Sequence, residues 1–416
     1  MLAALAAAGC TSSAAAPPAQ LRLQVSQPVS LYDVPLDIRV TGLHPGDRVT
    51  LQLATRDGQW RAHATFAARQ PVLDLAAAAP VSGGYRGVHA MGLFEALAPR
   101  RGPAGLRPSD PEVLTLTASA PGARPASVTL SRELTGPGVT CFRRTVARSG
   151  FYGLYCAPAP HAGTRPPVLV FGGSEGGLAT APAAELLASR GFPALALAYF
   201  GEPGLPDALH RIPLEYFARA ARWLGSRPGA DARRLAVFGD SRGSEAALLL
   251  GADFPGLIHA VIAGSPSSVT NPAVSPAHML PVTAPAWTLH GKPLPVANPL
   301  GDPASALNPA AVIRVQKIRG PVLLLAGAAD QLWPSPRYAS AIMRTLGKDH
   351  DRYPHHEVVF RGAGHAAGAA FPYQVGTVTV ATPARTLTLG GTMFANSAAE
   401  TSAWQDVLAF LRRPGA

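Results

Sequence analysis

The chain has 416 residues, of which 47% are hydrophobic, and it contains 42 glycines and 42 prolines. This length exceeds the size at which a single hydrophobic core stops growing, so two domains are expected. The net charge of +11 comes almost wholly from arginine, but no dense basic run and no alternation of basic and aromatic residues occurs, which argues against nucleic-acid binding.

The first 19 residues are set apart from the rest by composition. A short apolar run, Met1–Ala8, precedes Gly9 and Cys10, and a segment rich in Ser, Ala and Pro follows. This pattern is similar to a bacterial lipoprotein signal, which predicts lipidation at Cys10 and attachment to a membrane of the cell envelope. No Lys or Arg precedes the run, and the run is short, so a disordered Ala-rich tail on a cytoplasmic protein is the alternative. No other stretch is long and apolar enough to span a membrane.

Residues 20–135 show short segments that alternate between apolar and polar residues, separated by turn signals such as His44–Asp47. This spacing predicts an all-β, immunoglobulin-like sandwich domain. The predicted strands are Leu21–Val25, Leu36–Val40, Val49–Ala54, Val113–Ala118 and Ala126–Leu130.

Two cysteines flank a turn signal at Arg148–Gly150. A hairpin turning there would bring Cys141 and Cys156 opposite one another, close enough for a disulfide. A register shift of one residue would put them on opposite faces, and the alternative is two unrelated small core residues. An oxidising compartment would favour the bond.

Strands alternate with helices in residues 136–416, which predicts an α/β hydrolase domain: a mostly parallel sheet with helices on both faces. The predicted strands are Val168–Phe171, Pro193–Tyr199, Arg234–Phe238, His259–Ala263, Val322–Ala326 and Val358–Phe360, and the predicted helices are Ala181–Arg190, Leu214–Leu224 and Ala403–Leu411. Residues 267–316 are Pro-rich and too long for an ordinary loop, so we expect them to form a cap over the active site.

Gly239-Asp240-Ser241-Arg242-Gly243 lies between a predicted strand and a predicted helix. A strand, a Gly-x-Ser-x-Gly turn and a helix form a nucleophile elbow, which exposes the serine hydroxyl at the end of the sheet. The helix N-terminus beside it favours developing negative charge. The sequence therefore predicts that Ser241 is a nucleophile rather than part of a surface turn.

An elbow serine requires a base and an acid, in the chain order Ser, Asp or Glu, His. Asp330 follows the strand Val322–Ala326, and His365 follows the next strand, so both lie at carboxyl ends of neighbouring strands. We predict a triad of Ser241, His365 and Asp330, with Asp349 and Asp351 as alternatives for the acid. His365 is the only one of the 12 histidines with this placement; the alternative is a solvent-exposed loop histidine.

The loop Gly172–Gly177 follows the strand Val168–Phe171. We expect an oxyanion hole from the backbone N–H of Gly173 or Ser174 and that of Arg242, directly after the nucleophile. A phosphate-binding loop is disfavoured because the Gly-Lys-Ser/Thr ending is missing. Trp287, Leu289, Leu294 and Phe371 are predicted to line an apolar substrate pocket, and no metal or cofactor is expected.

The chain resembles the acyl-CoA thioesterase / bile acid-CoA:amino acid N-acyltransferase family from about residue 20 to the C-terminus. The resemblance lies in residues 35–43, 82–94, 172–177, 187–192, 197–201, 214–217, the elbow, 290–295 and 363–365. It implies a β-sandwich on an α/β-hydrolase domain that acts on acyl thioesters, with the same triad. Family members that conjugate amino acids look to have cysteine as nucleophile, so serine favours hydrolysis.

The expected function is hydrolysis of a small-molecule acyl thioester. Export would separate the protein from cytoplasmic coenzyme A thioesters, so an exported carboxylesterase or an acyltransferase on oxyester or lipid substrates is a second hypothesis. A non-catalytic surface binding protein, with the β-sandwich as its working part, is a third.

Overall fold

The computed structural model describes residues 20–100, 110–274, 281–297, 308–348, 352–373, 376–382 and 385–413. The predicted lipoprotein segment, including Cys10, and the alternative acids Asp349 and Asp351 lie outside these ranges. No helix in the described ranges is long and apolar enough to cross a membrane.

Two β-sheets form the N-terminal part of the chain. The first sheet has the antiparallel order β1-β3-β6 and the second has the order β2-β10-β9-β4-β5-β7, with β8 also paired to β5. The strands are β1 (Arg22–Val25), β2 (Val29–Leu31), β3 (Ile38–Thr41), β4 (Arg48–Thr55), β5 (Trp60–Ala67), β6 (Val72–Asp74), β7 (Ser82–Gly83), β8 (Ala98–Pro99), β9 (Glu112–Ser119) and β10 (Ala126–Glu133), and a short helix α1 (Gly92–Glu95) lies between β7 and β8. The inward residues of both sheets share one core, which confirms the predicted β-rich domain.

Five strands of this domain escaped the sequence pattern, and two of them, β7 and β8, have only two residues each. The largest omission is β5, whose inward residues are Trp60, Ala62, Ala64 and Phe66. Two of these four are alanines, and alanine also ends the strand at Ala67, so the contrast between the faces is weak. Strands β2 and β6 are only three residues long, which is too short for alternation to be visible.

An eight-stranded sheet forms the centre of the C-terminal part, in the order β11-β12-β14-β13-β16-β17-β22-β23. Strands β11 (Thr140–Arg144) and β12 (Tyr152–Ala157) are antiparallel, whereas β13 (Val168–Phe171), β14 (Ala194–Ala198), β16 (Ala236–Asp240), β17 (Ala260–Gly264), β22 (Val322–Gly327) and β23 (His356–Phe360) are parallel to one another. This mostly parallel sheet confirms the predicted α/β hydrolase fold.

Helices cover both faces of the sheet, and successive residues of each strand face opposite sides. Val168 and Val170 pack with α3 (Ala181–Ser189), α7 (Met393–Arg412) and the N-terminal sandwich, whereas Leu169 and Phe171 pack with α4 (Leu214–Gly225), α5 (Arg242–Asp253) and α6 (Ser335–Lys348). A four-residue helix, α2 (Val146–Ser149), joins β11 to β12. The closing helix α7 begins ten residues before its predicted start.

The sandwich and the α/β part share a continuous core and a buried ion pair. Asp33, which is 2% exposed, accepts hydrogen bonds from Arg190 Nε at 2.8 Å and from Arg190 Nη2 at 2.5 Å. Trp404 Nε1 of α7 donates to the same carboxylate at 2.9 Å. The sandwich is thus joined to both helices on that face of the sheet.

The predicted cap, residues 267–316, is only partly described. Its described residues contain β18 (Pro272–Val274), paired with β19 (Pro281–Pro285), and β20 (Trp287–Leu289) and β21 (Lys292–Pro293), which form a small sheet with β15 (Ile212–Pro213). Residues 275–280 and 298–307 lie outside the described ranges.

Candidate active site

Ser241 lies at the sharp turn between β16 and α5. Its backbone adopts φ 55° and ψ −120°, a conformation that L-residues other than glycine rarely adopt. Side chains at Gly239 and Gly243 could not be accommodated, because a Cβ at Gly239 would collide with the carbonyl of Gly243 and one at Gly243 would collide with the carbonyl of Gly172. The Gly-x-Ser-x-Gly pattern therefore reflects close backbone contact on both sides of the serine.

The structure brings Ser241, His365 and Asp330 into one hydrogen-bonded chain. His365 Nε2 lies 2.8 Å from Ser241 Oγ, and His365 Nδ1 lies 2.9 Å from Asp330 Oδ2. Asp330 follows β22 and His365 follows β23, so the ends of neighbouring parallel strands deliver both groups to one edge of the sheet.

The carboxylate of Asp330 is held by three further donors. Its Oδ1 accepts from the backbone N–H of Leu332 at 2.9 Å and of Trp333 at 3.2 Å, and its Oδ2 accepts from Ser335 Oγ at 2.6 Å. These bonds fix the direction of the carboxylate toward the imidazole. Sequence reasoning missed Ser335, although its position at the start of α6 places it near the preceding loop.

His365 is buried and its ring meets Trp333 edge to face, with centroids 5.1 Å apart. Trp333 Nε1 donates to Ser265 O, and Ser265 Oγ donates to the carbonyl of His365, so the loop is held from two sides. Burial by itself lowers the pKa of His365, but the charge and hydrogen bond of Asp330 outweigh it and raise that pKa above 6.5.

The loop after β13 passes directly beside Ser241. A Cβ placed on Gly173 would lie 2.8 Å from Ser241 Cβ, so only glycine fits there. The buried Tyr199 hydroxyl lies 2.8 Å from the carbonyl oxygen of Gly172 and 2.7 Å from that of Gly173, and it donates to this pair of acceptors. These contacts hold the loop at a fixed distance from Ser241.

The predicted oxyanion donors differ in their surroundings. Arg242 is the first residue of α5, and N–H groups of the first turn have no partner within a helix. Gly173 N–H instead donates to the side chain of Glu175, at 2.9 Å to Oε1 and 3.0 Å to Oε2. In this structure a carboxylate two residues further on therefore occupies the donor predicted at Gly173. Ser174 lines the adjacent cavity.

The side chain of Arg242 points away from the nucleophile into a buried polar network. Its Nε lies 2.8 Å from Glu245 Oε1, and its guanidinium donates to the carbonyls of Asn271 and Pro272. Glu245 also accepts from Asn271 Nδ2 and from Trp287 Nε1. The first turn of the elbow helix is thereby tied to the segment that leads into β18.

Asp240 precedes the nucleophile and lines the same cavity. The pKa of Asp240 is raised to about 7, chiefly by burial; Glu175 and Asp330 act in the same direction, and His365 opposes them. Its Oδ1 has no hydrogen-bond partner among the described residues. Asp240 is thus a buried carboxyl group directly beside Ser241, and its pKa is raised.

A cavity of about 770 Å³ opens beside Ser241 and His365. Its volume falls within the range of small-molecule pockets, about 300–1,000 Å³. Apolar side chains form most of its wall, and they include Leu178, Phe238, Trp333, Phe371, Leu387 and Leu389. A hairpin of β24 (Thr379–Ala381) and β25 (Thr386–Thr388) contributes one side of the wall. Sequence reasoning missed this hairpin.

Of the four predicted pocket residues, Phe371 lines this cavity, whereas Trp287, Leu289 and Leu294 do not. Trp287, which is 1% exposed, belongs to the apolar core that includes α4 and α5, and Leu289 and Leu294 are partly buried against that core. The prediction for them is therefore corrected: these residues, in or next to the small sheet β15-β20-β21, pack on the apolar core and not on the cavity. Of the described residues within 267–316, Val274 is the one that lines the cavity.

Cys141 and Cys156 are directly opposite one another on β11 and β12 and form a disulfide. Their Cα atoms are 4.1 Å apart. The turn lies at Val146–Ser149, one helical turn ending in Gly150 at φ 73°, as the Arg148–Gly150 signal indicates.

Family models match two regions of the chain. Residues 33–145 match the model described as Acyl-CoA thioester hydrolase/BAAT N-terminal region, and residues 212–414 match the one described as BAAT / Acyl-CoA thioester hydrolase C terminal.

Named relatives align over nearly the whole chain. Acyl-coenzyme A amino acid N-acyltransferase 2 of Rattus norvegicus is 29% identical, covering 94% of this chain and 98% of the relative. Acyl-coenzyme A thioesterase 2, mitochondrial, of Mus musculus is 30% identical, covering 92% and 87%. A solved structure of a putative dienelactone hydrolase from Klebsiella pneumoniae has a TM-score of 0.42 and 18% identity, covering 66% of this chain and 99% of that one. The chain belongs to the acyl-CoA thioester hydrolase/BAAT family.

Proposed function

We propose that this protein is a serine hydrolase of acyl thioesters, with Ser241 as nucleophile, His365 as general base and acid, and Asp330 as the group that orients the imidazole. One observation supports it above all: an unbroken hydrogen-bond chain of 2.8 and 2.9 Å that ends at an elbow serine beside a largely apolar cavity.

In the acylation step, His365 Nε2 takes the proton of Ser241 Oγ while the oxygen attacks the thioester carbonyl carbon. The carbonyl oxygen becomes negatively charged, and the N–H of Arg242 at the N-terminus of α5 stabilises it. The carbon–sulfur bond then breaks, and the proton on His365 passes to the leaving sulfur. The product is an acyl ester on Ser241.

In the deacylation step, a water molecule takes the place of the departed thiol. His365 removes its proton as the oxygen attacks the acyl ester, and the carbon–oxygen bond to Ser241 breaks. The proton returns to Ser241 Oγ, and a carboxylic acid is released. Asp330 keeps the imidazole oriented in both steps, since three donors besides the imidazole hold its carboxylate in place.

The acyl chain is assigned to the cavity, because its wall is mainly apolar and begins at the nucleophile. The named relatives include both acyl-CoA thioesterases and acyltransferases. Water is the proposed acceptor of the acyl group, because the nucleophile proposed here is serine. Family members that conjugate amino acids look to have cysteine at this position.

A second candidate function is an exported carboxylesterase with the same triad. The disulfide between Cys141 and Cys156 favours it, because disulfides persist in oxidising compartments and are rare in the cytosol. The predicted lipidation of Cys10 belongs to the same hypothesis.

Two measurements test these proposals. A fluorophosphonate probe should label the wild-type protein and not Ser241→Ala, and absence of labelling of the wild type would overturn both enzyme hypotheses. Rates should then be compared for acyl-CoAs and oxyesters of equal chain length. The main proposal requires a higher kcat/KM for the thioesters, and a higher value for the oxyesters would favour the second candidate instead.

A further inference from the structure

The loop Gly172–Gly177, which contains the predicted oxyanion donor Gly173, also contains a carboxylate, that of Glu175. Both carboxylate oxygens of Glu175 accept from Gly173 N–H, at 2.9 and 3.0 Å. Glu175 lines the cavity beside the nucleophile. A Cβ on Gly173 would lie 3.2 Å from Ser241 Oγ and 3.1 Å from Glu175 Oε2, so the carboxylate and the nucleophile stand on the same side of this residue.

The backbone of the loop is built to turn Glu175 back toward Gly173. Gly176 and Gly177 follow it with φ of 68° and 61°, values that favour glycine. A Cβ on Gly176 would lie 2.6 Å from the ring of Phe200, so the turn is also packed closely. The position of the carboxylate is therefore part of the loop conformation.

This arrangement conflicts with the requirement of the reaction. The attacked carbonyl oxygen gains negative charge and needs the donor that Glu175 occupies. A carboxylate on that donor competes with the oxygen and also repels its charge. The loop itself can stay in place when the side chain leaves, because Tyr199 holds the carbonyls of Gly172 and Gly173.

We propose that the carboxylate of Glu175 occupies the oxyanion hole before substrate binds. The substrate carbonyl oxygen must displace this carboxylate before Gly173 N–H can stabilise the transition state. This inference rests on the proposed function of Ser241. Every substrate must displace the Glu175 carboxylate, so the free energy of displacement adds the same amount to the activation free energy of each substrate. Removing the carboxylate should then raise kcat/KM by one common factor, whatever the length of the acyl chain.

The test uses Glu175→Ala and Glu175→Gln in the full-length protein, with Glu202→Gln as the matched control. Glu202 lies in a neighbouring loop near Gly177 and has no hydrogen bond to Gly173. Glu175→Ala should raise kcat/KM about ten- to a hundredfold, the factor expected for a charge-assisted hydrogen bond, and equally for short and long acyl chains. Glu175→Gln, whose amide oxygen can still accept, should give a smaller rise, and the control should stay within twofold of wild type.

Inhibitors separate this role from a structural one. A trifluoromethyl ketone forms an oxyanion on Ser241 and should bind the Glu175→Gln variant more tightly than the wild type. An alkyl thioether of equal chain length has no carbonyl and should bind both equally. Unchanged or lower kcat/KM in both variants, or a rise that depends on chain length, would overturn the inference. The proposed function would survive that result as long as the fluorophosphonate probe labels Ser241, and it would fail on its own if the wild type is not labelled.

Discussion

Ser241 has an uncommon backbone conformation, and its hydroxyl oxygen is hydrogen-bonded to His365 Nε2. Ser241→Ala keeps the backbone contacts of the elbow and removes only the hydroxyl oxygen. We expect the variant to fold normally and its turnover to fall by several orders of magnitude. Steady-state kinetics with thermal unfolding as the folding control checks this, and near-normal turnover would place the reaction elsewhere.

The pH dependence should report His365. The imidazole acts as a base only when deprotonated, and Asp330 raises its pKa against the opposing effect of burial. The acidic limb of kcat/KM should therefore have its midpoint above pH 6.5.

Asp330→Asn provides the matching change. It removes the charge that raises the pKa most, while Asp240 and Glu175 still raise it and burial still lowers it. The midpoint should therefore move to lower pH while kcat falls. The measurement is the pH profile of both proteins with one substrate. A midpoint that does not move would show that Asp330 does not control the imidazole.

At this scale the sequence identifies residues whose chemistry is tied to a strand end, which are Ser241, His365 and Asp330. It does not identify Glu175 or Tyr199, because their roles depend on the direction of a side chain and not on spacing. The sequence Gly-Gly-Ser-Glu-Gly-Gly does not predict that the carboxylate of Glu175 accepts a hydrogen bond from Gly173 N–H.

The elements of the α/β part follow from long apolar runs, since strands buried on both faces need no alternation. Other elements that line the cavity have no such apolar runs and cannot be predicted in this way. The hairpin β24–β25 consists of two three-residue strands rich in threonine, and such segments carry little apolar signal. The Pro-rich segment 267–316, in contrast, is predicted to be a cap over the active site because it is too long for an ordinary loop.

The wall formed by the hairpin can be tested at Leu387. Leu387→Ala removes apolar contact from the cavity and should raise KM more for long acyl chains than for short ones. Leu294→Ala is the control, because Leu294 is partly buried against the apolar core and does not line the cavity. The measurement is KM over a series of chain lengths. Equal effects of the two variants, or no dependence on length, would contradict the assignment of the acyl site.

The edge of the sheet depends on the bond between β11 and β12. The two cysteines are 15 residues apart in sequence, and closing a loop of that size stabilises a fold by about 3 kcal/mol in the chain-entropy account. Replacing both cysteines by serine should lower the free energy of unfolding by about that amount. Denaturant unfolding of the oxidised protein and of the double variant measures it, and identical midpoints would show that the bond contributes nothing.

For the whole molecule, the sequence predicts two domains but not how they join. The joint depends on Asp33, Arg190 and Trp404, which are far apart in the chain and have no shared pattern. The same face carries Tyr32, whose ring lies 5.5 Å from that of the cavity residue Phe371. The sandwich therefore supports one wall of the cavity.

Asp33→Asn tests this joint. It leaves Arg190 without its buried counter-charge, which should destabilise the protein by about 3 kcal/mol. Because both parts share one core, they should still unfold in a single transition at a lower temperature. Calorimetry is the measurement, with Asp37→Asn, an exposed carboxylate of the same domain, as the control. An unchanged transition would show that the ion pair does not hold the parts together.

The central claim is that Ser241 carries the acyl group of a thioester. Trypsin cleaves after Arg234 and Arg242, which places Ser241 in the peptide Leu235–Arg242 as its only hydroxyl side chain. The protein should be mixed with an acyl-CoA, quenched in acid within one turnover, digested and weighed by mass spectrometry. We expect this peptide to gain the mass of the acyl group minus one hydrogen atom. Thioester turnover with no acyl mass on this peptide, or with the acyl group on another peptide, would contradict the account.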